Sequence, residues 1–303
     1  MCRRMPAGRL SEPLSRYKRM KLNASQCHNY LKRLGLPTDM TSQPPTMAGL
    51  ATLVRAHVAR IPYENIDIHK DAPLSALEPV EAAVERLTHD RRGGYCFHLA
   101  PPFCALLNSM GFNAHIYRGQ VINHPGLDEP ANPNHAVVMV SHLADAPTDL
   151  VLADVGIGDG PRNPVPMRPG AFHEPPFVYG IEPLAEERWR FVHDTRGGFV
   201  HFDVDASSPA AVSEFALPHQ QLSTLPESHF VRNFTVQRVD DGIIEKIVNR
   251  SFRTLCRAGS TATLIESEEH LDGLLKRTFG LDLDAADRGA VWRSILARES
   301  ART

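Results

Sequence analysis

The chain has 303 residues, 42% of them hydrophobic, and a formal net charge of -2 from 33 basic and 35 acidic side chains. This length exceeds one average domain, so two or three packed units are expected. Near-neutral charge leaves no broad attraction for nucleic acid or an anionic membrane, and no uninterrupted apolar run approaches the ~20 residues of a membrane-crossing helix, so a soluble protein is expected.

Residues 1–21 carry Arg3, Arg4, Arg9, Arg16, Lys18, Arg19 and Lys21 without the apolar stretch of a secretory signal, and read as a poorly ordered basic extension. Five cysteines (Cys2, Cys27, Cys96, Cys104 and Cys256), odd in number and without a CxxC pair, favour neither a disulfide framework nor a zinc site. A reduced, cytoplasmic protein fits them best.

Residues 22–110 read as a helical bundle. Tyr30, Leu31 and Leu34, ahead of Gly35 and Pro37, predict a short amphipathic helix. Leu50, Leu53, Val54 and Val58 predict a second helix, capped by Thr46 and stopped where Pro62 forces its predecessor into an extended conformation. Val80, Ala83, Val84 and Leu87 predict a third. From 111 to 213 the period changes to two, and short strands over 115–121, 135–140, 150–155, 189–193 and 199–204 suggest a barrel or sandwich, with Pro161 to Pro183 as a long loop over it. In 214–303, strands over 234–239 and 243–248 flank the hairpin signal Asp240-Asp241-Gly242. A further strand over 261–264 and two helices, around Leu271 to Leu275 and Val291 to Leu296, complete a mixed α and β unit.

Three polar residues stand out, in the order Cys96, His135, Asp154. Gly93-Gly94 before Cys96 lets the backbone turn sharply and approach a ligand closely. Cys104, among Phe103, Leu106 and Leu107, reads as core. His135 opens the apolar run 136–140 and Asp154 closes the run 151–153, so a rigid strand end would hold each. A thiol is mostly protonated at neutral pH; an imidazole can take its proton, and a carboxylate behind the imidazole fixes the tautomer.

Arg92-Gly93-Gly94-Tyr95-Cys96 resembles the signature of the arylamine N-acetyltransferases, and four more segments resemble that family in order: Ala59 to Ile66, Asn134-His135, Asp154-Val155-Gly156-Ile157-Gly158, and Ser228 to Asn233. Tyr30 to Gly35 and Lys276 to Gly280 extend the similarity over about residues 25–282. The resemblance implies an α+β, cysteine-proteinase-like fold of three parts: an N-terminal helical bundle bearing Cys96, a central β-barrel bearing His135 and Asp154, and a C-terminal α/β lid. It implies a ping-pong reaction in which Cys96 takes an acetyl group from acetyl-CoA, a co-substrate, and an arylamine or hydrazine then attacks the thioester. No metal and no permanently bound cofactor are implied. Substrate contacts would come from Arg92, Gly93, Gly94, Tyr95, Phe97, Val121, Gly156, Ile157, Gly158 and Asp159, the last of these placing an acid in the amine pocket.

Two departures from the family pattern stand at His98 and Ala100, where Glu and Asn are common. Ala100 precedes Pro101-Pro102, so the nucleophile's helix is expected either to begin near Pro101 or to kink there. In either case helix-terminus support for the thiolate would be reduced. Rival readings keep the triad and change its use: an amide synthase taking a longer acyl chain from a carrier protein, a cysteine hydrolase, or a vestigial site.

Overall fold

The computed structural model describes residues 19–71, 76–123 and 133–300; the basic extension, except Arg19 to Lys21, lies outside them. In chain order the elements begin with α1 (Ala24–Leu34), α2 (Met47–Arg60), β1 (Tyr63–Glu64), α3 (Val80–Thr88) and α4 (Cys96–Ser109). There follow β2 (Asn113–Ile122), β3 (His135–Ser141), β4 (Leu150–Leu152), β5 (Val165–Pro166), β6 (Gly170–Glu174), β7 (Phe177–Ala185), β8 (Arg188–Val192) and β9 (His201–Asp205). The last third holds α5 (Ala216–Thr224), α6 (His229–Arg232), β10 (Thr235–Asp240), β11 (Ile243–Val248), β12 (Ser251–Cys256), β13 (Gly259–Leu264), α7 (Glu268–Phe279) and α8 (Ala285–Ser300).

The helix starts follow local capping chemistry. Asn23 and Gln26 form a reciprocal capping box before α1, and Thr46 accepts from the Gly49 N–H at the start of α2. Gly35, at φ 65°, ends α1 in the left-handed conformation that glycine adopts at little cost.

Helix α4 begins at Cys96, not near Pro101, and runs to Ser109 through both prolines. Pro101 and Pro102 lack N–H groups, so the Phe97 and His98 carbonyls lose their helical donors, at a cost of about 3 kcal/mol per proline. Burial outweighs this. Leu99, Phe103, Leu106 and Leu107 are almost wholly buried, and each such side chain contributes about 1.5–3 kcal/mol.

Eight strands form one antiparallel sheet in the order β5-β4-β3-β2-β9-β8-β7-β6, which curls into a nearly closed barrel. Strand β3 is buried on both faces. Ala136, Val138 and Val140 pack into the helical core, and Val137 and Met139 into the barrel core. The expected loop from Pro161 to Pro183 is instead β5, β6 and most of β7. Its prolines sit where strands tolerate them: Pro175 and Pro176 turn the hairpin, Pro183 marks a register shift, and Pro166 ends a two-residue strand.

The second sheet, β1-β10-β11-β12-β13, packs against α7 and α8 through Phe234, Val236, Ile247, Leu271, Leu275 and Ile295. Asp241 and Gly242, both at positive φ, make the anticipated tight turn between β10 and β11. Strand β12 has no counterpart in the sequence reading, because none of its residues is fully buried and its pattern does not alternate. Strand β1, from the N-terminal segment, joins this sheet by pairing Tyr63 with Gln237.

Candidate active site

Cys96 is the first residue of α4, and the His98 and Leu99 N–H groups both bond to the Tyr95 carbonyl. The Cys96 and Phe97 N–H groups are therefore the unpaired donors of the helix end. The Arg92-Gly93-Gly94 turn fastens this end to β1. Glu64 N–H bonds to the Gly94 carbonyl at 3.0 Å, and Arg92 and Arg86 converge on the buried Glu64 carboxylate at 2.9 and 3.2 Å. At Gly93 a Cβ would stand 1.8 Å from the Pro62 carbonyl oxygen, so only glycine permits the contact.

His135 opens β3, and the neighbouring Asn134 side chain pairs in both directions with the Val121 backbone, at 2.7 and 3.1 Å. This fixes the strand start. Opposite His135 on β2 stands Gly119, where a Cβ would meet Val137 at 2.6 Å and the imidazole at 3.2 Å. The ring lies edge-on to Phe202 in the barrel core. Asp154 uses both carboxylate oxygens: Oδ2 lies 2.6 Å from His135 Nε2, and Oδ1 accepts from the Gly156 N–H at 2.7 Å.

The Cys96 thiol lies 4.0 Å from the carbonyl oxygen of Asn134, the residue before His135, and Cys96 and His135 open on the same cleft. Since Asp154 occupies Nε2, Nδ1 is the imidazole nitrogen left for the thiol. Burial disfavours the imidazolium, but the Asp154 charge and hydrogen bond, with a smaller contribution from Cys96, outweigh it and push His135 up to about 10. The three side chains that the sequence singled out thus meet, although Cys96 belongs to the helical core and His135 and Asp154 to strand ends of the barrel.

A cleft of about 110 Å³ opens on Cys96 and His135, walled by Tyr63, Val121, Ile157, Phe199 and Phe230. Of the residues expected to contact substrate, Val121, Gly156, Ile157, Gly158 and Asp159 line it. Arg92, Gly93, Gly94, Tyr95 and Phe97 stand behind it as supports. Tyr95 hydrogen-bonds through its hydroxyl to His219 Nδ1 at 2.7 Å and packs on Phe230. His98 is buried edge-on against Tyr95 and His219 with Nδ1 unpaired, and burial holds it well below the ordinary imidazole range.

Asp159 reaches the cleft but is already engaged. Its Oδ2 accepts from the Gly198 N–H at 2.8 Å, His193 Nε2 lies 3.6 Å from Oδ1, and Lys246 Nζ 3.8 Å from Oδ2. Burial opposes ionisation, but Lys246, His193 and Gly198 together hold the carboxyl well below the usual carboxylate range. Thr235, Gln237 and Lys246, which the sequence reading did not single out, also line the cleft. The alternation Phe234-Thr235-Val236-Gln237, apolar then polar, was the available signal for Thr235 and Gln237.

Among the described residues no cluster of His, Cys, Asp and Glu could hold a metal ion, and no helix is long and apolar enough to cross a membrane.

The family model described as N-acetyltransferase matches residues 46–288. The curated arylamine N-acetyltransferase of Mycobacterium tuberculosis H37Rv is 29% identical over 262 residues, covering 82% of this chain and 87% of that protein. The Salmonella typhimurium arylamine N-acetyltransferase / N-hydroxyarylamine O-acetyltransferase is 29% identical over 265 residues, covering 83% and 89%. Among solved structures, the Nocardia farcinica arylamine N-acetyltransferase superposes with a TM-score of 0.77 at 26% identity, covering 90% of this chain and 96% of that one. The chain belongs to the arylamine N-acetyltransferase family and is an acyltransferase.

Proposed function

We propose that the protein moves an acetyl group from acetyl-CoA to a small aromatic amine or hydrazine through a thioester on Cys96. The observation that carries this reading is the convergence of Cys96 and His135 on one cleft, with Asp154 hydrogen-bonded behind the imidazole. His135, held protonated by Asp154, keeps the proton drawn from the thiol while the sulfur attacks the acetyl carbonyl, and gives it to the departing CoA sulfur. The amine then attacks the Cys96 thioester and gives one proton to His135 as the Cys96 sulfur leaves, which restores the starting pair. The unpaired N–H groups at the start of α4 would stabilise the oxyanion of each tetrahedral intermediate.

Beside the cleft lies a groove of about 730 Å³ carrying Arg196, Arg250 and Arg253. Their charge suits the phosphates of CoA. The chemistry requires Cys96 reduced, as in the cytoplasm. In this reading the helical core supplies the nucleophile, the barrel its base, and the second sheet with its helices the lid.

Steady-state kinetics with acetyl-CoA and an aniline test the reading. Parallel double-reciprocal lines, with one equivalent of CoA released per enzyme before the amine is added, are expected. Intersecting lines and no CoA release without amine would overturn it.

A further inference from the structure

Thr235 and Gln237 stand two apart on β10 and so share one face of the strand, and Gln237 is the cross-strand partner of Lys246 on β11. Thr235 is 2% and Gln237 7% exposed, and neither Thr235 Oγ1 nor Gln237 Oε1 has a hydrogen-bond partner. Burying such groups unpaired is costly, and a bound ligand removes that cost. Lys246 is the only lysine or arginine among the described residues that line the cleft.

We propose that Thr235, Gln237 and Lys246 form an anion subsite that selects acceptor amines carrying a carboxylate. This rests on the acetyl-transfer reading and names the acceptor class for it. The Lys246 ammonium and the Thr235 hydroxyl are donors, and a half-turn of the Gln237 amide presents its NH2 as a third. Asp159 lies 3.8 Å from Lys246 but has the Gly198 N–H and His193 as partners, so Lys246 retains charge to offer an incoming anion.

Lys246 lines both the cleft and the basic groove, but Thr235 and Gln237 line the cleft with Cys96 and not the groove, which puts the three-residue subsite on the acceptor side. The loop after Asp154 ties the two together: a Cβ on Gly156 would lie 2.8 Å from Cys96 Cβ, and one on Gly158 2.7 Å from Gln237 Cδ. An anion there is carried by a small molecule seated against the thioester. The phosphates of CoA are separated from its sulfur by the long pantetheine arm. The sign is opposite to the one expected from Asp159 alone.

The test measures each half-reaction separately. Enzyme is first acetylated with acetyl-CoA, then offered 4-aminobenzoate or its neutral counterpart 4-methylaniline. In Lys246→Met the ratio of kcat/KM for the anionic over the neutral amine should fall about tenfold, chiefly through KM for 4-aminobenzoate, and in Thr235→Val about threefold. Asp159→Asn should raise it. A ratio within about twofold of wild type in Lys246→Met and Thr235→Val would overturn the proposal. Slower acetylation by acetyl-CoA in Lys246→Met with an unchanged ratio would also overturn it, assigning the lysine to the donor. Failure of wild type to become acetylated at all would instead contradict the acetyl-transfer reading, before any acceptor is added.

Discussion

His135 Nε2 lies 2.6 Å from Asp154 Oδ2, and both side chains are shut away from water while the thiol they serve comes from a different core. With Nε2 engaged, the ring addresses Cys96 only through Nδ1, so this one bond sets orientation and tautomer together. Asp154→Asn keeps the shape and removes the preference. It should lower kcat by about 10³–10⁴-fold, read as CoA release with both substrates saturating. A loss below about tenfold would mean that the imidazole does not depend on the carboxylate.

The same pair links stability to pH. His135 is pushed up to about 10 in the folded protein, above the ordinary ~6.5. A raised imidazole contributes its full stability below about pH 6.5 and loses it as pH climbs through about 10. Urea melts of wild type and His135→Gln should therefore differ most near pH 6 and converge near pH 10, to order of magnitude. A gap that widens with pH would contradict the charged pair.

Two glycines are held by close contacts. A Cβ at Gly156 would stand 2.9 Å from Cys96 Cα, a backbone atom that cannot rotate away. Gly156→Ala should displace the nucleophile and lower kcat about 10²-fold while the protein stays folded, as checked by thermal melting alongside turnover. Gly93→Ala, with its Cβ 1.8 Å from the Pro62 carbonyl oxygen, should instead cost stability, about 3 kcal/mol or more by urea denaturation.

His98 is a buried imidazole with an unpaired Nδ1, held neutral by its surroundings. Replacing an unsatisfied polar group by an apolar one of similar size is neutral or stabilising. His98→Met should therefore melt within about 1 kcal/mol of wild type or above it. A large destabilisation would assign the ring a partner in solution.

Cys96 was legible through the Gly93-Gly94 turn before it, and His135 and Asp154 because one opens and the other closes an apolar run, all local signals. The tight turn at Asp241-Gly242 and the cap at Thr46 were legible for the same reason: their chemistry is complete within four residues. Where α4 starts was not legible, because proline cost is local, whereas the packing that overrides it comes from α3, β2 and β3. Prolines likewise hid β6 and β7, whose pairing places them at a turn and a register shift. Gln237 could not be joined to Tyr63 from sequence, since that pairing is non-local, whereas its pairing with Lys246 follows from the turn.

The central claim is that Cys96 carries the acyl group between two substrates. Peptide-level mass spectrometry after mixing wild type with acetyl-CoA alone tests it most directly. The account predicts an added mass of about 42 Da on the peptide containing Cys96, lost on adding an arylamine and never formed in Cys96→Ala. Acetylation confined to other residues, or N-acetylated amine produced at the wild-type rate by Cys96→Ala, would contradict it.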